Sequence, residues 1–225
     1  MSHSKRYNAV AAAAPKDKVA VAEAVIFFKE KSTEKFDASI ELHVRLGIDP
    51  KQSDQTVRGS VALPAGTGKT LKVAAVVSSN KEKEAKEAGA DMVGGDDIIE
   101  QIKQNKLGFD VLVASPDMMP KLGKVAKVLG PRGLMPNPKT ETVGPDVGRL
   151  IKAIKAGKAN FKNDEYGIVH MGVGKKSFTQ EDLVKNIETA FEAIKAAKPE
   201  SLKGNFIKSV TLSSTMGPGL ALSIK

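Results

Sequence analysis

The sequence predicts a two-domain α/β protein in which a discontinuous α+β domain carries an inserted α/β domain. Near both ends of the chain, alternating apolar and polar residues indicate half-buried strands of an antiparallel sheet with helices on one face. The middle instead has almost uninterrupted apolar runs between helical patterns, which is typical of a parallel sheet covered on both faces. Aromatic residues also divide unevenly, since of eight Phe and two Tyr only Phe109 lies within 66–157. The expected boundaries are 1–65 with 158–225 for the first domain, 66–157 for the second, and hinge strands near 65–70 and 156–160.

The first segment is expected to hold an arm, one helix and two strands. Residues 1–15 lack a sustained pattern and are interpreted as a mobile or loosely packed arm. Asp17 is placed to cap a helix over 18–31 whose apolar residues share one face. Alternation over 36–48 predicts a strand with one polar face, and 57–63 predicts a second strand of similar character.

The middle of the chain alternates between strands and helices, as βαβ units do. Apolar runs at 71–77 and 111–114 predict buried strands. Helical patterns are expected at 81–88, 96–105, 116–129 and 145–155.

The antiparallel pattern returns after residue 158. Strands are predicted over 159–162 and 166–173, joined at Asn163-Asp164 as a hairpin. Thr179 is expected to cap a helix that ends at Ala197, and a final strand follows.

That final strand ends in a turn whose chemistry suits a polar partner. Ser213, Ser214 and Thr215 are followed by Gly217-Pro218-Gly219. Small hydroxyls donate to phosphate and ribose oxygens, and glycine lets another backbone approach closely. The alternative is an ordinary β-turn whose serines solvate a strand end.

Composition favours a soluble protein with an anionic partner. The formal net charge is +9, which points most often to nucleic acid, although general solubility is the alternative. The absence of cysteine excludes disulfides, thiolate nucleophiles and Cys-ligated metals. No apolar run reaches the length of a membrane span, and the N-terminus lacks a signal-peptide pattern. We expect a cytoplasmic protein with no membrane partner.

One segment, Gly66-Thr67-Gly68-Lys69-Thr70, resembles the end of a phosphate-binding loop. The first Gly of that motif would fall at position 63, which is Leu63. The motif must also open a helix, whereas a strand pattern follows here. A Gly-rich hinge is the favoured interpretation, with a nucleotide-binding α/β enzyme as the alternative. The three histidines show no metal-ligand spacing, and no catalytic residue, cofactor or metal is expected.

Several segments of the chain occur together in one family. The most specific are Leu129-Gly130-Pro131-Arg132-Gly133-Leu134-Met135-Pro136-Asn137-Pro138-Lys139 and Ser214-Thr215-Met216-Gly217-Pro218. Others are Lys35–His43, Leu46–Pro50, Ser53–Gly59, Glu87–Asp91, Gly94-Gly95, Gly144 and Lys155–Gly157. From about Lys5 to the end, the chain resembles the bacterial large-subunit ribosomal protein of the mobile stalk, the L-one family.

The resemblance implies a discontinuous first domain, an inserted Rossmann-like three-layer α/β domain, and two connecting strands that act as a hinge. It also implies that the first domain makes the main contact with 23S rRNA. The matching residues are Lys35, Phe36, Ser39 and Glu41 on the strand, and Ser213, Thr215, Met216 and Gly217 at the closing turn. Arg58, Lys175 and Lys208 are further candidates for phosphate contact because they are basic.

The inserted domain is expected to make secondary contacts with the same RNA. The residues concerned are Gly130, Arg132, Gly133, Asn137 and Lys139. A rigid structural turn is the alternative for this loop.

By the same resemblance, the chain is expected to be a non-enzymatic rRNA-binding protein of the large-subunit stalk that helps deacylated tRNA to leave the exit site. A second implied role is repression of its own operon through an mRNA site that mimics the rRNA. The expected partners are the stalk region of 23S rRNA, exit-site tRNA and own-operon mRNA, and the protein is expected to be a monomer away from the ribosome.

Overall fold

The computed structural model describes residues 4–223, except for the side chain of Ser53. It is a mixed α/β structure that contains both an antiparallel and a parallel sheet, as the sequence predicts. The chain divides into two compact units, one comprising Met1–Gly68 with Ala159–Lys225 and the other Lys69–Lys158. They are called unit one and unit two below.

The bounds of the elements are as follows. The strands are β1 (Ser39–Leu46), β2 (Arg58–Ala62), β3 (Val73–Val76), β4 (Met92–Gly94), β5 (Val111–Ala114), β6 (Lys158–Lys162), β7 (Ile168–Lys175), β8 (Ile207–Ser214) and β9 (Gly219–Ala221). The α-helices are α1 (Lys5–Ala13), α2 (Val21–Lys31), α3 (Glu82–Glu87), α4 (Asp96–Lys103), α5 (Met119–Leu122), α6 (Ala126–Leu129), α7 (Val147–Lys155) and α8 (Gln180–Ala196).

Unit one is built on an antiparallel sheet in the order β7-β1-β8-β9. On β1 the even-numbered residues from Ile40 to Leu46 are at most 2% exposed, whereas the odd-numbered residues from Ser39 to Arg45 are not buried. The apolar side shares a core with α2 and α8, to which Ile187 contributes a fully buried side chain. The opposite side is a polar face, and it carries the candidate site.

The hairpin predicted at Asn163-Asp164 is present only at its turn, where Asn163 and Val169 form an isolated antiparallel bridge and Asp164 N–H donates to the Ile168 carbonyl at 2.8 Å. The strands themselves do not pair with each other, since β6 pairs with β2 in a separate two-stranded sheet and β7 pairs with β1. Asp164 Oδ1 also accepts hydrogen bonds from the backbone N–H groups of Tyr166 and Ile168, at 2.9 and 2.7 Å, and so closes the turn that leads into β7. An Asx turn of this kind looks like a hairpin signal in sequence, because the same residues favour both.

Unit two is built on a parallel sheet in the order β4-β3-β5. All four residues of β3 are fully buried, and they alternate between two cores. Ala74 and Val76 pack with side chains from α4, α5 and α6, whereas Val73 and Ala75 pack with side chains from α3 and α7. Helices therefore cover both faces of the sheet, which explains the uninterrupted apolar runs.

The N-terminal segment, predicted to be a mobile or loosely packed arm, contains a regular helix in which Val10 is the buried residue. Residues 5–13 form α1, whose first turn is capped by Ser4 Oγ, which accepts a hydrogen bond from Tyr7 N–H at 3.3 Å. Residues 1–3 of the expected arm lie outside the described part of the chain. Asp17 does not cap α2, because Val19 is extended and pairs with Leu222, so the helix begins only at Val21.

Two further differences concern unit two and the last turn. The single helix predicted over 116–129 is divided into α5 and α6 by a 3₁₀ turn at Gly123–Val125. Glycine is a poor helix former, and proline at position 120 already restricts the preceding turn. The strands β4 and β9 were not predicted, since three residues are too short to show a period.

Candidate nucleic-acid interface

The start of β1 and the end of β8 lie side by side on the polar face of unit one. Ser39 N–H donates to Thr215 Oγ1 at 3.0 Å, and Thr215 N–H donates to the Ser39 carbonyl at 3.1 Å. On the other side of β1, Lys175 Nζ donates to Ser39 Oγ at 3.0 Å. Glu41 and Ser213 are cross-strand partners. These residues, Ser39, Glu41, Lys175, Ser213 and Thr215, are called the sheet-end cluster below.

Two exposed apolar side chains adjoin the sheet-end cluster in sequence. Phe36, three residues before β1 begins, is 50% exposed, and Met216, two residues after β8 ends, is 54% exposed. A single exposed apolar residue carries little information, but an aromatic ring next to hydroxyls and a lysine matches what RNA recognition uses. The ring stacks on bases or riboses, and the polar groups bond to 2′-hydroxyls and phosphates.

The turn after β8 is fixed by contacts with the buried side chain of Ser214. Ser214 is 2% exposed, and its Oγ accepts a hydrogen bond from Ser32 Oγ at 3.3 Å. Gly217 lies directly over it, so a Cβ at position 217 would come within 2.3 Å of Ser214 Oγ. Gly217 N–H also donates to the Ser214 carbonyl at 3.1 Å. Glycine is therefore required at 217 by close approach, which leaves Thr215 and Met216 to present their side chains outward.

A hydrogen-bonded chain of side chains extends the sheet-end cluster across the sheet. Asp164 Oδ2 lies 3.4 Å from His170 Nε2, the Nδ1 atoms of His170 and His43 are 2.7 Å apart, and His43 Nε2 lies 2.9 Å from Ser213 Oγ. The sequence alone does not show that the two histidines pair. It indicates only that each occupies an outward position on a predicted strand.

The same surroundings shift two pKa values. Partial burial lowers the pKa of His43, the neighbouring His170 lowers it further, and Glu41, whose carboxylate is 4.0 Å from His43 Nε2, acts in the opposite direction. Burial acts to raise the pKa of Asp164, but the N–H groups of Ile168 and Tyr166 and the imidazole of His170 together lower it. Asp164 is therefore an ionised acceptor at neutral pH, and it anchors this chain of hydrogen bonds.

Three of the predicted basic residues lie away from the sheet-end cluster or show no contact with it. Lys208 is near the opposite end of β8, six residues from Ser214, which is about 20 Å at the usual rise per residue of a strand. Arg58 belongs to the separate sheet formed by β2 and β6. Lys35 is exposed beside Phe36. The structure thus gathers Lys175, but not Arg58 or Lys208, with the hydroxyl residues.

The residues of unit two that were predicted to make a secondary RNA contact lie in a hydrogen-bonded loop. Gly133 has a positive φ of 70°, and its N–H donates to the Gly130 carbonyl at 3.0 Å. A Cβ at Gly130 would lie 2.9 Å from the Ala126 carbonyl oxygen. Asn137 Oδ1 accepts a hydrogen bond from Lys139 N–H at 2.8 Å, and Arg132 reaches Asn105 at 3.5 Å. These contacts give Gly130, Gly133 and Asn137 a structural role in the conformation of the loop.

The Gly66–Thr70 segment does not have the geometry of a nucleotide loop. The next regular element is the strand β3 rather than a helix. The loop is also held by Asn186, a fully buried residue of α8, which accepts from Ala65 N–H at 3.1 Å and donates to the Gly66 carbonyl at 2.9 Å. The first amides of the segment are thus bonded within the protein, with Gly66 N–H donating to the Leu63 carbonyl at 3.0 Å, and no helix N-terminus follows to hold a phosphate.

Within residues 4–223, no group of three His, Asp or Glu side chains is placed to hold a metal ion. No helix in this part of the chain is long and apolar enough to cross a membrane.

Comparison with known proteins identifies the family. The profile of the Ribosomal protein L1p/L10e family matches residues 28–218. The chain is 51% identical to the large ribosomal subunit protein uL1 of Mesoplasma florum over 223 residues, which cover 98% of each protein. It is 48% identical to that of Thermus thermophilus, with 98% of this chain and 97% of the relative covered. For the protein of Deinococcus radiodurans, identity is 46% with 99% and 96% covered.

These matches extend over nearly the whole chain, and they include both units and the sheet-end cluster. Proteins of this family are structural components of the ribosome and not enzymes. The chain belongs to the L1p/L10e family of ribosomal proteins and is a structural constituent of the large ribosomal subunit.

Proposed function

We propose that this protein binds the stalk region of 23S rRNA through unit one, with the sheet-end cluster, Phe36 and Met216 as the contact surface. The observation that carries the proposal is the convergence of hydroxyls, one lysine and two exposed apolar side chains at one end of a polar sheet face. The net charge of +9 supports an RNA partner in general.

The chemistry of the surface favours RNA over DNA. Ser213 and Thr215 are small hydroxyl donors and acceptors suited to the 2′-hydroxyl, the group that distinguishes the two nucleic acids. Glu41 carries a negative charge and would repel phosphates, but its carboxylate can accept hydrogen bonds from 2′-hydroxyls or base amines. Lys175 supplies the phosphate contact.

The two connections between the units support a mobile role. We propose that residues 65–70 and 156–160 form the hinge between a discontinuous RNA-binding domain and an inserted Rossmann-like domain, whose Gly130–Lys139 loop makes secondary RNA contacts. In this role the protein shapes the mobile stalk beside the exit site and aids release of deacylated tRNA. By the family resemblance we further propose that it acts as a monomer when off the ribosome and represses its own mRNA.

Filter binding tests the main proposal. A transcribed stalk fragment of 23S rRNA is titrated at two salt concentrations against wild type, Phe36→Ala and Thr215→Ala, with scrambled RNA and MgATP as competitors. We expect specific, salt-sensitive binding. Phe36→Ala should weaken it about tenfold because a base–aromatic stack contributes about 1–3 kcal/mol. Thr215→Ala should weaken it by a similar factor because a polar partner left without its hydrogen bond costs about 1–3 kcal/mol. Tyr166→Ala is the matched control, because Tyr166 is the most exposed aromatic residue in the described chain and belongs to no predicted contact.

Each result separates the alternatives. Equal affinity for scrambled RNA would leave only a basic surface. Displacement by MgATP would restore the nucleotide-binding alternative. Circular dichroism shows whether either variant is unfolded. An unfolded variant would mean that Phe36 or Thr215 supports the fold and does not belong to the contact surface.

A further inference from the structure

The N-terminal helix α1 reaches the turn that carries Thr215, Met216 and Gly217. Arg6, the second residue of α1, donates from one guanidinium nitrogen to the Met216 carbonyl oxygen at 3.0 Å. Its other terminal nitrogen donates to Glu34 Oε1, also at 3.0 Å. One side chain therefore joins three segments that are far apart in sequence.

Glu34 makes this contact unusual. Its side chain is only 2% exposed, and its second oxygen, Oε2, is buried and has no hydrogen-bond partner within residues 4–223. A buried carboxylate is costly unless a cation neutralises it, and Arg6 is the residue that does so here. The planar fork of arginine suits this task, since it can hold a carboxylate and a carbonyl at a fixed angle, which a lysine ammonium cannot.

Arg6 contacts the Met216 carbonyl, which lies between two residues of the turn that are fixed by other hydrogen bonds. Ser214 is fixed from inside by Ser32, and Gly217 is fixed by its bond to the Ser214 carbonyl. The Met216 carbonyl, between them, is held by Arg6, while the Met216 side chain stays half exposed. Arg6 thus fixes the peptide that joins Met216 to Gly217, and with it the path of the turn that presents Met216.

We propose that Arg6 is a positioning residue for RNA recognition: with Glu34 it locks the turn at 214–217 in the conformation that binds RNA. This inference rests on the proposed RNA-binding function of unit one. It gives α1 a role in the site, although no residue of α1 needs to touch the RNA.

The test must separate positioning from stability and from direct phosphate contact. Arg6→Met alone would leave a buried, unpaired carboxylate and could unfold the protein. The double variant Arg6→Met with Glu34→Gln removes both charges, keeps the shape of the side chain at position 34 and keeps an unbranched apolar stem at position 6. Glu34→Gln alone keeps both bonds of Arg6, because the amide oxygen of glutamine still accepts a hydrogen bond from the guanidinium and the Met216 carbonyl is unchanged. Lys5→Met is the charge control, because it removes the same charge from an exposed neighbouring position.

The measurement is filter binding of the 23S stalk fragment by the full chain over a series of salt concentrations, with thermal unfolding of each variant. We expect the double variant to be folded and to bind at least fivefold more weakly, with an unchanged salt slope. Glu34→Gln and Lys5→Met should bind within about twofold of wild type. Arg6→Lys should lie closer to the double variant than to wild type.

Three outcomes would overturn the inference. Wild-type affinity in a folded double variant would make Arg6 a structural residue only. A salt slope reduced by about 0.7–0.9 would make it a phosphate contact. If the wild type bound stalk RNA no better than scrambled RNA, the proposed function would be wrong and the inference would be wrong with it. If the wild type bound specifically and only the expected effects of the Arg6 variants were missing, the inference would be wrong and the proposed function would stand.

Discussion

At the scale of single residues, the site combines groups that are fixed with groups that are free. The Thr215 hydroxyl accepts from Ser39 N–H, and Gly217 is confined by Ser214, so neither can move without disturbing the sheet. Phe36 and Met216 are about half exposed and can adapt to a partner. Rigid hydrogen-bonding groups beside adaptable apolar ones give a surface that discriminates shape and still packs closely.

The histidine pair predicts a pH dependence of stability. The pKa of folded His43 lies below the unfolded value of about 6.5, so the unfolded chain binds this proton more readily. Stability is therefore fully present above about pH 6.5 and falls as the pH drops toward the folded pKa. Urea unfolding between pH 8 and pH 5 should show this loss, and His43→Gln should reduce it.

Charged groups and neutral hydroxyls both surround the histidine pair. Glu41 and Arg45 flank His43 on the same face of β1, and Asp164 approaches His170. β8 presents the neutral hydroxyls of Ser209, Thr211 and Ser213 to this face. A pH profile of His43→Gln identical to that of wild type would assign the acid sensitivity to carboxylates elsewhere.

At the scale of elements, Asn186 joins α8, β7 and the loop after β2. Besides Ala65 and Gly66, its side chain bonds to the Val173 carbonyl at 2.8 Å, and the residue is fully buried. Asn186→Leu would leave three backbone groups without their partner, so we expect a loss of at least about 2 kcal/mol of unfolding free energy. Denaturant titration measures it. Thr189→Ala, at a half-buried position of the same helix where the hydroxyl donates to the Lys185 carbonyl, should cost less than about 1 kcal/mol. A loss equal to that of Asn186→Leu would contradict this assignment.

Elements with a clear period were predictable from the sequence, and contacts between distant elements were not. The alternation in β1 marks Ser39 and Glu41 as outward residues, and Thr179 caps α8 as predicted, accepting from Asp182 N–H at 3.2 Å. The pairing of His43 with His170 depends on the register between two strands 127 residues apart. The bond from Arg6 to Met216 spans 210 residues, and no local pattern encodes such a contact.

At the scale of the whole molecule, the proposed contact surface belongs to one unit. Every residue of the sheet-end cluster, and the core beneath it, comes from unit one. The two chain segments of unit one meet where β2 pairs with β6. In sequence, unit two begins shortly after β2 and ends at the first residue of β6. A chain in which a short Gly-Ser linker replaces residues 69–158 should therefore fold cooperatively and keep most of its specific affinity for the stalk fragment. A folded but non-binding product would transfer the main site to unit two.

Photo-crosslinking of the full chain to the 23S stalk fragment, with the linked peptides mapped by mass spectrometry, tests the central proposal most directly. We predict crosslinks at Phe36 and within 213–217, abolished by an excess of unlabelled stalk RNA but not by scrambled RNA. Crosslinks confined to residues 130–139, with none on the polar face of unit one, would contradict it.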